Sequence, residues 1–179
     1  MAALSRRCRS RTLIASLKSF VCGYFQKRRR ILRELSDTFQ GFRFLEHMTD
    51  AEIEACGANI DEAFQNAGRA VEQLMVNLDS IDEVESRVIK VSGRDLESLL
   101  YDWIEALITI QDEDGLLFSS FVCKISKNSS GYFLLANALG EKFDPEKHEQ
   151  KTAIKAPTFY DMKISVGVDK VIMRFLVDL

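Results

Sequence analysis

The spacing of apolar residues predicts two strands at the start of the chain's main body. In Gly41–Glu46 two phenylalanines fall on one face of an extended chain, and in Asp50–Ala55 apolar residues alternate with Glu52 and Glu54. This alternation is typical of strands with one buried face.

Two helices are predicted by apolar residues that recur every three or four positions. The first begins after Asn59, a helix-capping residue that forms a pair like a capping box with Glu62, and it runs to about Val76. The second covers Asp95–Ile110 and follows a predicted strand at Glu83–Val91. We expect the apolar faces in the core, including Ile60, Ala63, Phe64, Ala67, Val71, Leu74, Met75, Leu96, Leu99, Leu100, Trp103, Ile104, Leu107 and Ile108.

The remaining patterns are those of an antiparallel sheet. Lys127–Ser130 is a turn signal between two apolar runs, which predicts a hairpin. Each helix is followed by strands without a repeating strand–helix–strand unit, so the predicted fold class is α+β. We expect two helices packed on a largely antiparallel β-sheet, in one domain spanning residues 41–179. The strands predicted in this part are Leu117–Ile125, Gly131–Leu139, Lys151–Ala156, Thr158–Val166 and Val171–Val177.

Residues 1–40 differ from the rest of the chain in charge. They contain ten Lys or Arg and two acidic residues, a net charge of +8, whereas residues 41–179 contain 14 basic and 25 acidic residues, a net charge of −11. Three interpretations of the basic extension stay open: a transit peptide, a nuclear or RNA-phosphate address at Lys27–Arg30, and a dispensable segment that is disordered or not native. The acidic body is not expected to bind nucleic acid stably, because phosphate binding needs a basic surface.

Composition and missing motifs narrow the function. No apolar run approaches the roughly 20 residues that span a bilayer, so no membrane association is expected. The four cysteines form no CxxC pair, which favours a reducing setting, and we expect the protein in the cytoplasm. The phosphate-binding and dinucleotide-binding glycine motifs and the nucleophile elbow are absent, and two histidines do not suffice for a multi-histidine metal site.

Two local patterns each allow a catalytic or metal-binding interpretation and a structural one. Asp112–Gly115 is acidic, but it lacks the ligand spacing of an EF-hand, so a solvated turn is favoured over a calcium loop. Cys56 and Cys123 lie in strand patterns, where a small core residue is favoured over a nucleophile.

Carboxylates at both ends of the body suggest a different site. Asp50 lies in the predicted connection between the first two strands, and the last strand ends at Asp178 and Leu179 without a polar tail. An ordered chain end would place the Asp178 carboxylate beside the α-carboxylate of Leu179. Such oxygen ligands suit a hard divalent cation. From spacing alone, ordinary solvated surface acids are favoured over a cation site.

Four ordered segments resemble the archease family. Glu46–Asp50 reads EHMTD, similar to the family signature EHTAD, and Gly140–Glu149 resembles its GEKxD…KHE segment. Lys155–Met162 reads KAPTFYDM, similar to VKAxTYHDM, and Val177–Leu179 matches a hydrophobic–Asp–hydrophobic ending. The two predicted helices also fall where the family has its helices. The resemblance covers about residues 41–179.

The resemblance implies a function and a set of site residues. Archease is an accessory protein of the RtcB-type RNA ligase in tRNA splicing; it promotes guanylylation of the ligase and its multiple turnover, and it is not itself the ligase. The family has an α+β fold and binds a divalent cation, usually calcium. Carried over, the metal ligands are Asp50, Asp178 and Leu179, and Lys155 lies next to them as a candidate partner-interaction residue.

The sequence departs from the family pattern in two places within the body. Met48-Thr49-Asp50 replaces Thr-Ala-Asp, which keeps the aspartate but shifts the neighbouring hydroxyl by one position. Tyr160 replaces the histidine of the third segment, so no role of that histidine transfers. The +8 extension has no counterpart in the family pattern.

Three functions remain open at this point. The chain is a non-catalytic activator of the RtcB-type tRNA-splicing ligase, a hydrolase in which a cation at Asp50 and Asp178 activates water, or a general assembly chaperone without metal. The first is favoured over the second because no general base with a partner accompanies the carboxylates. The net charge of the body also suits docking onto a basic, RNA-handling enzyme.

Overall fold

The structure is a computed structural model that describes residues 41–45 and 50–179. The basic extension and residues 46–49, which contain most of the first signature, lie outside the described residues. No helix within the described part is long and apolar enough to cross a bilayer. The elements are β1 (Gly41–Leu45), β2 (Ala51–Gly57), α1 (Ile60–Met75), a short 3-10 turn (Leu78–Ser80), β3 (Glu85–Gly93), α2 (Leu96–Asp114), β4 (Leu116–Asn128), β5 (Gly131–Lys142), β6 (Ala156–Val166) and β7 (Val171–Asp178).

The seven strands form two antiparallel sheets. The first sheet has the order β1-β2-β7-β6 and the second the order β3-β5-β4. Both helices contact strands of both sheets, and one continuous apolar core joins these elements. The predicted α+β class, with two helices on antiparallel sheet, is confirmed. The topology puts the second and the last strands of the body side by side, because β2 pairs with β7.

The first helix begins where its capping residues predict. The Asn59 side chain accepts a hydrogen bond from the Glu62 amide at 3.0 Å, and the Glu62 carboxylate accepts one from the Ala58 amide at 2.8 Å. Gly57 precedes this turn at a point where a Cβ would lie 2.5 Å from the Ala63 amide nitrogen. The close approach of β2 to the first turn of α1 therefore requires a glycine.

The second helix extends one turn beyond the predicted end. Residues 112–114, predicted as a solvated turn, form its exposed last turn, so that prediction was wrong. The helix ends at Gly115, whose φ of +66° is readily adopted only by glycine. At the other end Asp95 accepts a hydrogen bond from the Ser98 amide at 2.8 Å, and its bonds with Ser98 lower the pKa of this carboxyl.

Trp103 lies in the core, as predicted. It is fully buried, and its indole Nε1 donates to the Phe64 carbonyl at 3.2 Å. Its ring meets Phe121 of β4 edge-on at 5.4 Å, and Gly68 of α1 packs where a Cβ would lie 3.1 Å from both rings. This contact joins α1 and α2 to the second sheet.

One strand prediction was wrong and one turn prediction was right. Residues 151–155 form no strand; instead the Lys151 amide donates to the Met75 carbonyl at 2.9 Å, which fastens this segment to the end of α1. The backbone hydrogen bonds of this segment thus go to a helix terminus rather than to a sheet. The hairpin between β4 and β5 is confirmed, with Asn128 opposite Gly131.

Candidate functional site at the carboxylate end of the first sheet

The register of β2 and β7 places Asp50 across from Asp178. The last matched pair of these strands is Ala51 and Val177, and Asp50 precedes Ala51 as Asp178 follows Val177. Directly opposed residues of antiparallel strands have Cβ atoms about 5 Å apart. The pairing therefore carries two aspartates that are 128 positions apart in sequence to the same end of the sheet. We name Asp50, Asp178, Leu179 and Lys155 the carboxylate end.

Lys155, which precedes β6, is hydrogen-bonded to the end of β7. Its backbone amide donates to the Asp178 carbonyl at 2.9 Å, and its side-chain ammonium donates to the Leu179 backbone oxygen. Ala156, the next residue, pairs with Asp178. Lys155 therefore lies beside the backbone of Asp178 and Leu179, while its role in binding a partner stays a prediction.

At the carboxylate end, exposed polar groups lie directly in front of buried core residues. Asp178 is exposed and Asp50 and Leu179 are partly buried, while Val177 and Phe175 behind them are fully buried. The donor groups are hard oxygens, of the kind that calcium and magnesium prefer. A single lysine faces them within this set, so negative charge exceeds positive charge and a cation would be attracted.

The metal assignment itself stays a prediction. In residues 41–45 and 50–179 no group of three or more His, Cys, Asp or Glu side chains is placed to hold a metal ion. The proposed set has two such side chains and completes its ligands with an oxygen of Leu179. The residues present fit a hard cation in chemistry, with water supplying the remaining ligands.

An ion triad centred on one buried carboxylate lies on the same sheet as the carboxylate end. Glu54 of β2 is 2% exposed, and it contacts Arg174 of β7 at 2.6 Å and Arg43 of β1 at 2.5 Å. The triad ties three neighbouring strands together. Sequence analysis did not find it, since the register that joins residues 120 positions apart is not visible in a single strand pattern.

An irregular stretch of β6 lies near the carboxylate end. Thr158 pairs with Leu176 and Lys163 with Arg174, so β6 has three more residues than β7 between these pairs. Within the extra residues Asp161 has a φ of +51°, and Tyr160, which replaces the family histidine, is exposed. The structure therefore presents Tyr160 at the surface of an edge strand.

The Gly140–Glu149 segment has a structural role. Glu141 accepts hydrogen bonds from the Asp82 amide at 2.6 Å and from the Lys147 ammonium, and these bonds lower its pKa to about 2. His148 is buried, with Nδ1 accepting from the Asp144 amide at 2.9 Å and Nε2 3.1 Å from Glu141. Both ring nitrogens are engaged, so His148 fastens the loop and is not positioned as a free base.

The two body cysteines are core residues, as the strand patterns favoured. Cys56 and Cys123 are buried, and burial raises the pKa of both thiols, that of Cys123 to about 12. A thiol with so high a pKa is protonated at neutral pH. Neither cysteine is therefore activated as a nucleophile.

Known proteins match the chain over the described domain. The model of the Archease protein family matches residues 42–179. Protein archease of Sulfurisphaera tokodaii is 43% identical over 140 residues, which are 78% of this chain and 99% of that protein. The solution structure of Methanobacterium thermoautotrophicum protein 1598 is 34% identical, with a TM-score of 0.70 over 79% of this chain and all of that one.

A more distant solved structure agrees in fold alone. The crystal structure of an archease from Thermotoga maritima, described as a possible chaperone, is 18% identical, with a TM-score of 0.50 over 75% of this chain and 94% of that one. The agreement with the family model rests instead on most of the domain, including both helices and the carboxylate end. The chain belongs to the archease family.

Proposed function

We propose that this chain is a non-catalytic activator of an RtcB-type RNA ligase in tRNA splicing, promoting guanylylation of the ligase and its multiple turnover. Two observations support the proposal. The pairing of β2 with β7 ends at Ala51 and Val177, next to Asp50 and Asp178, and Lys155 contacts the backbone of Asp178 and Leu179. The expected place of action is the cytoplasm.

Asp50, Asp178 and the oxygen of Leu179 would hold a divalent cation, most simply calcium. Such an ion would offset the repulsion between the carboxylates and link β2 to β7. Lys155 already draws β6 to the chain end through its bond to Leu179. We propose that these residues present one rigid, polar edge to the ligase.

The chemistry of the described residues favours an accessory role over a hydrolase. The thiols are deactivated by burial, and the one described histidine is engaged through both ring nitrogens. The net charge of −11 over residues 41–179 fits electrostatic docking onto a basic enzyme that handles RNA.

Multiple-turnover RNA ligation by the cognate ligase, with and without this protein, tests the proposal. We expect stimulation by the wild type and a strong reduction by Lys155→Ala, with Lys142→Ala as a control on an exposed lysine of another sheet. A competent ligase that the wild-type protein does not stimulate would refute the activator role.

A chaperone role is the second candidate, since the Thermotoga maritima protein is described as a possible chaperone. It predicts that this chain suppresses aggregation of unrelated heat-denatured proteins without calcium. Suppression of aggregation together with absent ligase stimulation would favour the chaperone. Phosphate or acyl release by the protein alone would instead favour the hydrolase.

A further inference from the structure

The outer face of the second sheet is open over its described strands. Alternate residues of β3, β5 and β4 point away from the core, and the register sets them in rows. The face consists of Ser86, Val88, Lys90, Ser92, Ser120, Val122, Lys124, Ser126, Phe133, Leu135, Asn137 and Leu139, and we name it the serine–apolar face.

Large apolar side chains occupy the centre of the serine–apolar face. Val88 is 59% exposed, Val122 63% and Leu135 49%, and Phe133 lies beside Leu135 on β5. In the register Val88 and Val122 are diagonal neighbours of Leu135, a spacing at which long side chains still reach one another, while the residues directly opposite Leu135 are Lys90 and Lys124. Contiguous exposed apolar surface on a folded domain marks a binding site more often than scattered apolar residues do.

The apolar part of the face contains a cavity of about 300 Å³. It is lined by Lys90, Ser92, Ser126, Phe133 and Leu135, together with the backbone between them. The lining combines apolar side chains with two serines and one lysine, and the cavity is open to solvent. An open depression of this size and lining can receive one apolar side chain.

The charge of the face is opposite to that of the body. None of its twelve residues is acidic, although residues 41–179 have a net charge of −11, and Glu141, which follows on the same side of β5, is paired with Lys147. Lys124 is paired with Asp61 at 2.9 Å, whereas no ion pair to Lys90 is found among the described residues. The uncompensated positive charge therefore lies at the edge of the apolar cavity.

We propose that the serine–apolar face binds a protein segment in which an apolar side chain is flanked by carboxylates. The apolar side chain would enter the cavity against Phe133 and Leu135, and a carboxylate would pair with Lys90. A single uncompensated lysine is too little positive charge for a nucleic-acid backbone, which requires several cations. This proposal does not depend on the proposed ligase activation, because it concerns a different sheet from the carboxylate end.

Two short peptides test the proposal directly. One has a central phenylalanine flanked by aspartate and glutamate, and the other has the same phenylalanine flanked by lysine and arginine. We expect the acidic peptide to bind saturably and to shift the backbone amide NMR signals of β3 and β5, with at least tenfold weaker binding of the basic peptide. Failure of the acidic peptide to bind, or equal binding of both, would overturn the proposal.

Substitutions in the serine–apolar face test whether the acidic peptide binds there. Leu135→Ser should abolish it, and Lys90→Glu should reverse the preference between the peptides. Val168→Ser is the matched control, because Val168 is 98% exposed in the turn between β6 and β7, away from this sheet. Acidic-peptide binding that survives Leu135→Ser would place the site elsewhere and refute the assignment.

Two other occupants are distinguished in the same experiments. Preferential binding of a single-stranded RNA, lost in Phe133→Ser, would identify a nucleic-acid platform. Concentration-dependent dimerisation, abolished by Leu135→Ser in equilibrium sedimentation, would identify a second copy as the occupant. Either result would overturn the proposed acidic and apolar protein segment.

Discussion

The two sheets differ in the surroundings they give to a buried glutamate. The first sheet pairs its buried charge, since Glu54 lies between Arg43 and Arg174, and it gathers carboxylates at one end. The second packs against Glu72 of α1, which is fully buried and whose oxygens make no well-formed hydrogen bond to any described residue. The two buried glutamates thus lie in opposite surroundings. Glu54 has two guanidinium partners, whereas Glu72 has no cation beside it among the described residues and burial raises its pKa, because no counter-charge offsets its desolvation.

The largest expected effect is at the carboxylate end. Asp178→Ala and Asp50→Ala should each reduce stimulation of multiple-turnover ligation by about tenfold or more, because either change removes an oxygen ligand from a site with few protein ligands. Circular dichroism should show unchanged helical content. Asp169→Ala, in the exposed turn before β7, is the control, and equal loss in that variant would contradict the assignment.

Substitutions in the ion triad should show how much the ion pairs of Glu54 contribute to the free energy of unfolding. Replacing Arg43 and Arg174 by methionine leaves the Glu54 carboxylate buried without its cations, which should lower the free energy of unfolding by about 3–5 kcal/mol. Adding Glu54→Gln should restore a substantial part of that loss. Urea unfolding measures both values, and a triple variant no more stable than the double variant would show that charge pairing is not the cause.

Glu72, which has no counter-charge among the described residues, should make the free energy of unfolding depend on pH. Burial raises its pKa to about 8, against a weaker opposing effect of the Phe118 backbone, so the folded state holds a proton that the unfolded state loses near pH 4.5. Its contribution is therefore favourable at low pH and is lost as pH rises, at about 1.4 kcal/mol per pH unit between roughly 4.5 and 8.

Glu72→Gln removes this titration, so the stability difference between variant and wild type should grow in favour of the variant across that pH window. Unfolding measured at pH 5, 6, 7 and 8 checks the slope. Parallel curves for the two proteins would mean that Glu72 reaches a partner or solvent in solution.

The smallest stability effect is expected at Lys155. Its side chain is exposed and, within the part of the chain that the structure describes, bonds to the Leu179 backbone oxygen, so Lys155→Ala should change the free energy of unfolding by less than about 0.5 kcal/mol. Ligase stimulation should nevertheless fall. A change in stability large enough to explain the lost stimulation would assign Lys155 a structural role only.

Local signals made the helices and most strands predictable. Asn59 and Asp95 cap the helices at the predicted positions, and the turn before Gly131 forms the predicted hairpin. The predicted end of α2 was too early, because the acidic residues 112–114 were interpreted as a turn. These residues are compatible with a helix, and the helix ends only at Gly115. The strand predicted at residues 151–155 failed because its backbone finds partners at the end of α1, a tertiary contact that no local pattern encodes.

The sequence alone offered the carboxylates at the two ends of the body as one possible site, and the family segments gave the full set with Lys155. Spacing alone could not show that Asp50 and Asp178 lie at the same end of one sheet, which depends on the pairing of β2 with β7. The ion triad required the same register. Alternation could indicate which side of the second sheet faces outward, but it could not show that this side stays uncovered.

Calcium titration followed by melting temperature tests the central claim about the carboxylate end most directly. Wild-type protein should gain stability by mass action, about 2.7 kcal/mol at a hundredfold excess over the dissociation constant, and Asp178→Ala should gain much less. Residues added after Leu179 should also weaken the response, because they crowd the proposed ligand oxygen. An identical calcium response in wild type and Asp178→Ala would contradict the proposed ligand set.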